Sequence, residues 1–267
     1  MIIAAAGNII NDYFDIKADR INKPERLIIG KHIKRRVAIV SHWGMNFFAF
    51  SIAVFLSYKM QSFWYLFIHL LSINILWFYS IKGKRLFLTG NVLIAALTAM
   101  VPILVGFYFH QVYGESTISN PNKSFPLMSE LKENYILIIS FGLAIFAFIL
   151  NLARELVKDM EDVEGDKKLP AKTIPIVLGY QKTKIIVAII LSGTIIASLL
   201  IWSQLGQVNT VDFIPIIVAA VFIILCYALL FRAASVKEYR RINHIIKLAM
   251  VLGMLIPIYW NILMMYA

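Results

Sequence analysis

The chain breaks into long, nearly uninterrupted apolar blocks, and that pattern limits its fold more than any motif. Blocks of about 20 apolar residues match the thickness of a bilayer core. They run approximately over 37–57, 62–81, 89–111, 135–153, 183–205, 212–231 and 246–266, with residues 1–14 reading as the last half of another. Of the 267 residues, 60% are hydrophobic, which no ordinary soluble domain sustains. Seven such spans in one chain predict an all-α, polytopic transmembrane helical bundle, because helices satisfy every backbone polar group within the segment.

The basic residues support this topology. Alternate connecting segments, 15–36, 82–85, 154–184 and 232–247, hold eight, three, seven and five of them, 23 of the 26 lysines and arginines. By the positive-inside rule these segments face the cytoplasm. The net charge of +11 is then mostly a consequence of topology, with some attraction to anionic headgroups. It does not point to nucleic acid, since no soluble basic domain carries it. Cys226 lies inside an apolar span and reads as a packing residue; a lone cysteine forms no disulfide within its chain. Residues 1–10 lack the basic start of a secretory signal. The stretch 112–134, with Gly114, Pro121 and Pro126, reads as a plain outer loop, and Pro102, Pro215 and Pro257 fall in or near spans.

Against that apolar background, two acidic clusters stand out. The first is Asn11-Asp12-Tyr-Phe-Asp15-Ile-Lys-Ala-Asp19; the second is Glu155, Asp159, Asp162 and Asp166 within RELVKDMEDVEGD. A carboxylate at mid-membrane costs roughly 2.5–3.5 kcal/mol on insertion scales, and acids near membrane depth mark functional sites by default. Asn11, Asp15 and Asp19 share one face of a continuing helix at i, i+4 spacing, where like charges repel unless a cation compensates them. Carboxylate and Asn oxygens are hard ligands suited to Mg²⁺, which takes one or two carboxylates plus substrate phosphates. Two clusters on one membrane face predict a site for divalent metal and a highly anionic substrate. The bland alternative is a pair of solvated helix ends laced with Lys17, Arg20, Lys158 and Lys167.

Between the clusters, Tyr79-Ser-Ile-Lys-Gly-Lys84-Arg85 sits where a span meets the cytoplasm. Its cations can bind phosphate oxygens, and Tyr79 can hydrogen-bond a diphosphate or face a developing cation. The same composition also fits an ordinary interfacial helix end, and Arg26 and Arg154 share that ambiguity. Asn8 and Asn11 lie in the apolar approach to the first cluster. The histidines at 32, 42, 69, 110 and 244 show no metal-ligand spacing, and no dinucleotide, P-loop or serine-hydrolase motif occurs.

NIINDYFDIKADRINKPERLIIGKHI resembles the first signature of the UbiA-type intramembrane prenyltransferases. RELVKDMEDVEGDKKLPAKTIPIVLG resembles their second, and YSIKGKRLFLTGN the Tyr/Lys segment between them. The three regions occur in family order. Within the superfamily they look most like the geranylgeranylglyceryl-phosphate geranylgeranyltransferase branch. The resemblance implies nine helices around a cavity, Mg²⁺, a prenyl diphosphate donor and a hydrophobic acceptor. It implies Asn11, Asp12, Asp15 and Asp19 as first-site ligands or their supports. It implies Asp162 and Asp166 at the second site, with Glu155 and Asp159 alongside. Tyr79, Lys84, Arg26 and Arg154 would face the diphosphate, with Asn8 and Lys158 as further substrate contacts. The expected catalytic set is Asp15, Asp19, Asp162, Asp166, Tyr79 and Lys84.

Two departures accompany the likeness. Arg26 is followed by Leu27 where the family has proline. The first helix and part of the second have no counterpart, so the chain is expected to be a single integral-membrane domain over 1–267, truncated at its N-terminus. The expected activity is Mg²⁺-dependent prenyl transfer to a lipid acceptor such as geranylgeranylglyceryl phosphate, in a multi-pass cell-membrane protein with its site on the cytoplasmic side. Transfer to an aromatic ring, as in quinone synthesis, is the enzyme alternative. A metal or ion transporter is the alternative of another class; it predicts acids deep in several spans, whereas these lie at cytoplasmic ends.

Overall fold

In the computed structural model, residues 1–22, 24–119, 135–168, 170–204, 214–256 and 258 are described. Eight α-helices occur among them: α1 (Ile2–Asn22), α2 (Arg35–Lys59), α3 (Phe63–Ile81), α4 (Thr89–Ser119), α5 (Tyr135–Asp166), α6 (Ile174–Gln204), α7 (Ile214–Arg232) and α8 (Val236–Met254). Short 3-10 turns at Pro24–Arg26 and Gly83–Arg85 follow α1 and α3. No named strand occurs among the described residues.

Among the described residues, five helical stretches are long and apolar enough to cross a membrane: Arg35–Lys59, Phe63–Ile81, Thr89–Val112, Ile136–Asp166 and Ile174–Leu200. They correspond to the first five full spans expected from the sequence. The expected span at 212–231 coincides with α7, whose sequence is apolar from Ile214 to Phe231. Much of the span expected at 246–266 lies outside the described residues. The all-α membrane class therefore holds.

The ends of the elements differ from expectation in three places. The half span at 1–14 is part of a longer helix that runs through the first acidic cluster to Asn22. The stretch expected as an outer loop from 112 is helical to Ser119, because no proline intervenes before Pro121 to stop it; residues 120–134 lie outside the described residues. The basic segment 154–184 is helical to Asp166 and again from Ile174. Polarity ends a membrane span but not a helix, since the backbone bonds continue into water. Within α6, Gly179 interrupts the helix with φ 79° and ψ 165°. That conformation is costly for any residue with a Cβ.

The chain divides into two compact units, Met1–Ile94 with Asp162–Gly179, and Ala95–Glu161 with Tyr180–Ala267. In the first, α1, α2 and α3 pack against one another. Small buried residues, Ala6, Gly7, Ala38, Ala49 and Ala53, lie along α1 and α2 and allow close helix approach without a hydrophobic driving force between helices. One polar link crosses that apolar contact. Buried His42 donates from Nδ1 to Ala6 O at 2.9 Å, and Asn46 Nδ2 donates to His42 Nε2 at 3.0 Å. Outward faces are apolar, with Trp43, Phe47, Phe48 and Phe55 of α2 more than half exposed, as lipid-facing positions require.

In the second unit the core is built from Ala153, Leu156, Val157, Met160, Val187, Leu191, Leu230, Ile242 and Ile246. Buried Cys226 packs there as a free thiol. Buried Glu161 accepts from Arg240 Nε at 3.0 Å, joining α5 to α8. Lys184, also buried, donates to Ala233 O at 2.6 Å just past the end of α7, where a cation opposes the negative end of the helix.

Candidate active site

The first acidic cluster sits on the C-terminal half of α1, and its geometry follows from the helical period. Asn11 Nδ2 donates to Asp15 Oδ2 at 3.0 Å, the i, i+4 contact expected on one helix face. From the turn after α3, Lys84 Nζ donates to Asn11 Oδ1 at 3.2 Å and pairs with Asp15 Oδ1 at 2.5 Å. Asn11, Asp15 and Lys84 thus form a closed triangle joining the first acidic motif to the Tyr/Lys segment. Both members of the ion pair are largely sheltered, at 13% and 19% side-chain exposure, so removing one charge leaves the other poorly compensated.

The other first-cluster residues take different positions. Asp19 is half-buried one turn beyond Asp15, whereas Asp12 and Asn8 are exposed. Tyr79 is buried near the end of α3. Arg26 lies in the 3-10 turn after α1, and its side chain is outside the described ones.

The second cluster occupies the last turns of α5. Asp162 and Asp166, both half-buried, belong to the same unit as α1. Asn22, the last residue of α1, connects the two motifs. Its Nδ2 donates to Asp162 O at 3.1 Å, and the Gly165 backbone N–H donates to its Oδ1 at 2.8 Å. Asn22 opens the Asn-x-Pro-x-Arg stretch of the first signature, and sequence reasoning gave it no role. The available signal was Gly165, an unexplained glycine inside a helical acidic run.

Arg154, Glu155, Lys158 and Asp159 lie in the second unit. Buried Glu155 pairs with its neighbour Arg154, whose Nε donates to Asn151 Oδ1 at 2.8 Å. Asn151, also buried, donates in turn to Thr98 Oγ1 at 2.9 Å. Glu155 therefore has an internal cation as partner, and Arg154 is held by two α5 side chains rather than extended freely. Asn151 is a second polar residue that the sequence reading did not single out. Its signal was a lone Asn at the polar end of an apolar span.

Among the described residues, no three His, Cys, Asp or Glu side chains gather into a group that could hold a metal ion. The first cluster nevertheless suits a hard cation. Asn11 Oδ1 and an Asp15 carboxylate oxygen converge on one positive group, the Lys84 ammonium. Two protein oxygens with open positions for phosphate is the arrangement Mg²⁺ favours over an all-protein cage.

Residues 1–266 match the UbiA prenyltransferase family. The chain belongs to that family.

Among its UbiA relatives is the digeranylgeranylglyceryl phosphate synthase of Thermococcus gammatolerans. It is 36% identical over 196 residues, covering 73% of this chain and 60% of the relative. The enzyme of the same name from Pyrococcus horikoshii is 37% identical over 197 residues, again covering 60% of its length. That of Methanobrevibacter smithii is 30% identical over 250 residues, which cover 93% of this chain and 80% of the relative. The chain thus spans about 60% of the length of the first two relatives. A solved structure from work on digeranylgeranylglyceryl phosphate synthase in membranes superposes with a TM-score of 0.61 at 25% identity, covering 96% of this chain and 80% of that one. The apo structure of a UbiA homolog from Aeropyrum pernix K1 gives 0.59 at 14% identity, covering 98% and 86%, a likeness of fold.

Proposed function

We propose that this UbiA-family chain is a Mg²⁺-dependent integral-membrane prenyltransferase that moves a geranylgeranyl group from its diphosphate to the hydroxyl of a glycerol-phosphate ether lipid, such as geranylgeranylglyceryl phosphate. The observation that carries the reading is the Asn11–Asp15–Lys84 triangle, in a chain whose relatives bear the synthase name. A carboxylate, an amide oxygen and an ammonium in mutual contact offer both halves of diphosphate recognition: oxygens for a cation, and a cation for phosphate oxygens.

In this reading Asp15 and Asn11 hold Mg²⁺ on the first motif, with Asp19 beside them and Asp162 and Asp166 on the second. A Mg²⁺ held by these residues would supply positive charge against the diphosphate leaving group. Lys84 turns from Asp15 to the incoming phosphate oxygens, with Arg26 as a further contact. Asn8 and Asp12 support the first motif. The allylic C–O bond breaks with its electron pair leaving on diphosphate. Buried Tyr79 presents its ring or hydroxyl to the developing cation. The acceptor hydroxyl oxygen then forms the new C–O bond and releases its proton. Apolar walls exclude water, which would otherwise capture the cation. Glu155 and Asp159 act at most as supports, since Glu155 already balances Arg154. The basic segments support a cytoplasmic position for this chemistry in the cell membrane.

The test is an assay of membranes holding the full chain, with geranylgeranyl diphosphate, Mg²⁺, and glycerol-phosphate or aromatic acceptors in separate reactions. Ether-lipid product is expected. Product on the aromatic acceptor alone would sink the acceptor assignment. Asp15→Asn and Asp162→Asn are each expected to lower turnover at least about 100-fold, as loss of a charge-stabilising group does, while the protein stays folded. Full activity in both would refute the site.

A further inference from the structure

Asn22 makes a direct contact between the end of the first acidic motif's helix and the second motif. Its side-chain amide is used at both ends: Nδ2 donates to the Asp162 carbonyl at 3.1 Å, and Oδ1 accepts from the Gly165 N–H at 2.8 Å. These bonds span 140 and 143 residues of sequence. They join the end of α1, three residues after Asp19, to the backbone that carries Asp162 and Asp166. All of these residues lie in one unit. Hydrogen bonds to backbone have direction, whereas apolar contact between helices has none. A two-ended amide bridge therefore fixes distance and rotation together.

Gly165 supplies an independent observation. A Cβ placed there would meet Asn22 Nδ2 at 2.4 Å, and Cγ and Oδ1 at 2.7 Å. Glycine inside a helix is unfavourable relative to alanine. Here it is the residue that lets the amide reach the α5 backbone.

We propose that Asn22, seated on Gly165, is a positioning residue that sets the spacing between the Asn11–Asp15–Asp19 motif and the Asp162–Asp166 motif, and so the geometry in which both hold one diphosphate. This rests on the reading of those acids as the diphosphate site. Both ends of the Asn22 amide are taken up by the α5 backbone, so it acts through the two motifs.

The experiment compares Asn22→Ala, Gly165→Ala and the double variant, as full chains in membranes. Each single change is expected to raise the KM for geranylgeranyl diphosphate and the Mg²⁺ concentration for half-maximal rate about tenfold, the size of one or two lost hydrogen bonds. The KM for the lipid acceptor should stay within about twofold. The double variant should match Asn22→Ala alone, because the Cβ at 165 then meets no amide. Additive losses, or wild-type kinetics in Asn22→Ala, would overturn the proposal. Gly165→Ala gains helix propensity but crowds Asn22, so thermal unfolding of each variant in detergent separates loss of function from failure to fold.

A second readout is independent of turnover. Spin labels at Lys17→Cys and Lys167→Cys, both exposed positions, in a Cys226→Ala background should give one narrow distance with Asn22 present. That distance should broaden in Asn22→Ala and in Gly165→Ala; an unchanged distribution would overturn the proposal. Should Asp15→Asn and Asp162→Asn keep full activity, the functional reading fails, while the label distances still decide whether Asn22 sets the spacing.

Discussion

Lys84 shows how a residue with an ordinary sequence explanation acquires a specific place. In the sequence it was one of several cations at a helix end. In the structure it closes a triangle with Asn11 and Asp15, 73 and 69 positions away along the chain. Substituting Lys84→Met should raise the KM for the prenyl diphosphate about 10- to 100-fold, corresponding to roughly 1.5–3 kcal/mol for a hydrogen bond to a charged group. It should also destabilise the free protein, because the sheltered Asp15 carboxylate loses its counter-charge. Steady-state kinetics and thermal unfolding in detergent check the two effects separately; an unchanged donor KM would remove Lys84 from the site. Asn11, Asp15 and Asp19 were legible because their i, i+4 spacing works only on a helix. The bridge made by Asn22 was not, because its place in the first signature, two residues before Pro24, says nothing of what its amide touches.

Elements were legible where hydrophobicity is continuous and less so where charge begins. The first five full spans read from apolar blocks coincide with helices, yet α5 runs on through Asp166 and α6 begins at Ile174. Hydropathy reports where the membrane ends, while the helix ends where backbone bonding stops. At the start of α8, Glu238 illustrates a local device with a pH signature. Its Oε2 accepts from the backbone N–H groups of Ala234 and Ser235, each at 2.8 Å, and from the Ser235 hydroxyl at 2.9 Å. The Ala234 bond, then the Ser235 bonds, hold its carboxyl below the usual range. A group lowered in the folded state contributes stability above its unfolded pKa of about 4.3. That contribution is lost as pH falls through the lowered folded value. Glu238→Gln should therefore unfold at a lower temperature than the parent at pH 7, with the gap closing as pH drops below about 4. A gap that persists in acid would show that packing, not the carboxylate charge, is responsible.

At the scale of the whole molecule, the boundaries of the two units fall within helices α4, α5 and α6, and expected site residues occur in both units. Asp15, Asp19, Tyr79, Lys84, Asp162 and Asp166 fall in one; Arg154, Glu155, Lys158 and Asp159 fall in the other. Protein oxygens alone do not complete a metal shell among the described residues, so metal and diphosphate should bind interdependently. Chelation of Mg²⁺ from assay membranes is expected to abolish turnover and to weaken donor binding at least about tenfold, with both restored by added Mg²⁺. Donor affinity that is indifferent to chelation would count against the shared site.

The amino-acid sequence by itself determined the all-helical membrane class, the order of the spans and the presence of two acidic motifs. Each of these depends on local periodicity or on the cost of polar groups in hydrocarbon. The tertiary structure decided which side chains meet: that Lys84 reaches back to Asn11 and Asp15, that Glu155 is taken up by Arg154, and that Asn22 lies on Gly165. Such contacts depend on how helices distant in sequence are brought side by side. Bilayer-length apolar blocks leave that open, since lipid solvates one apolar face as well as another.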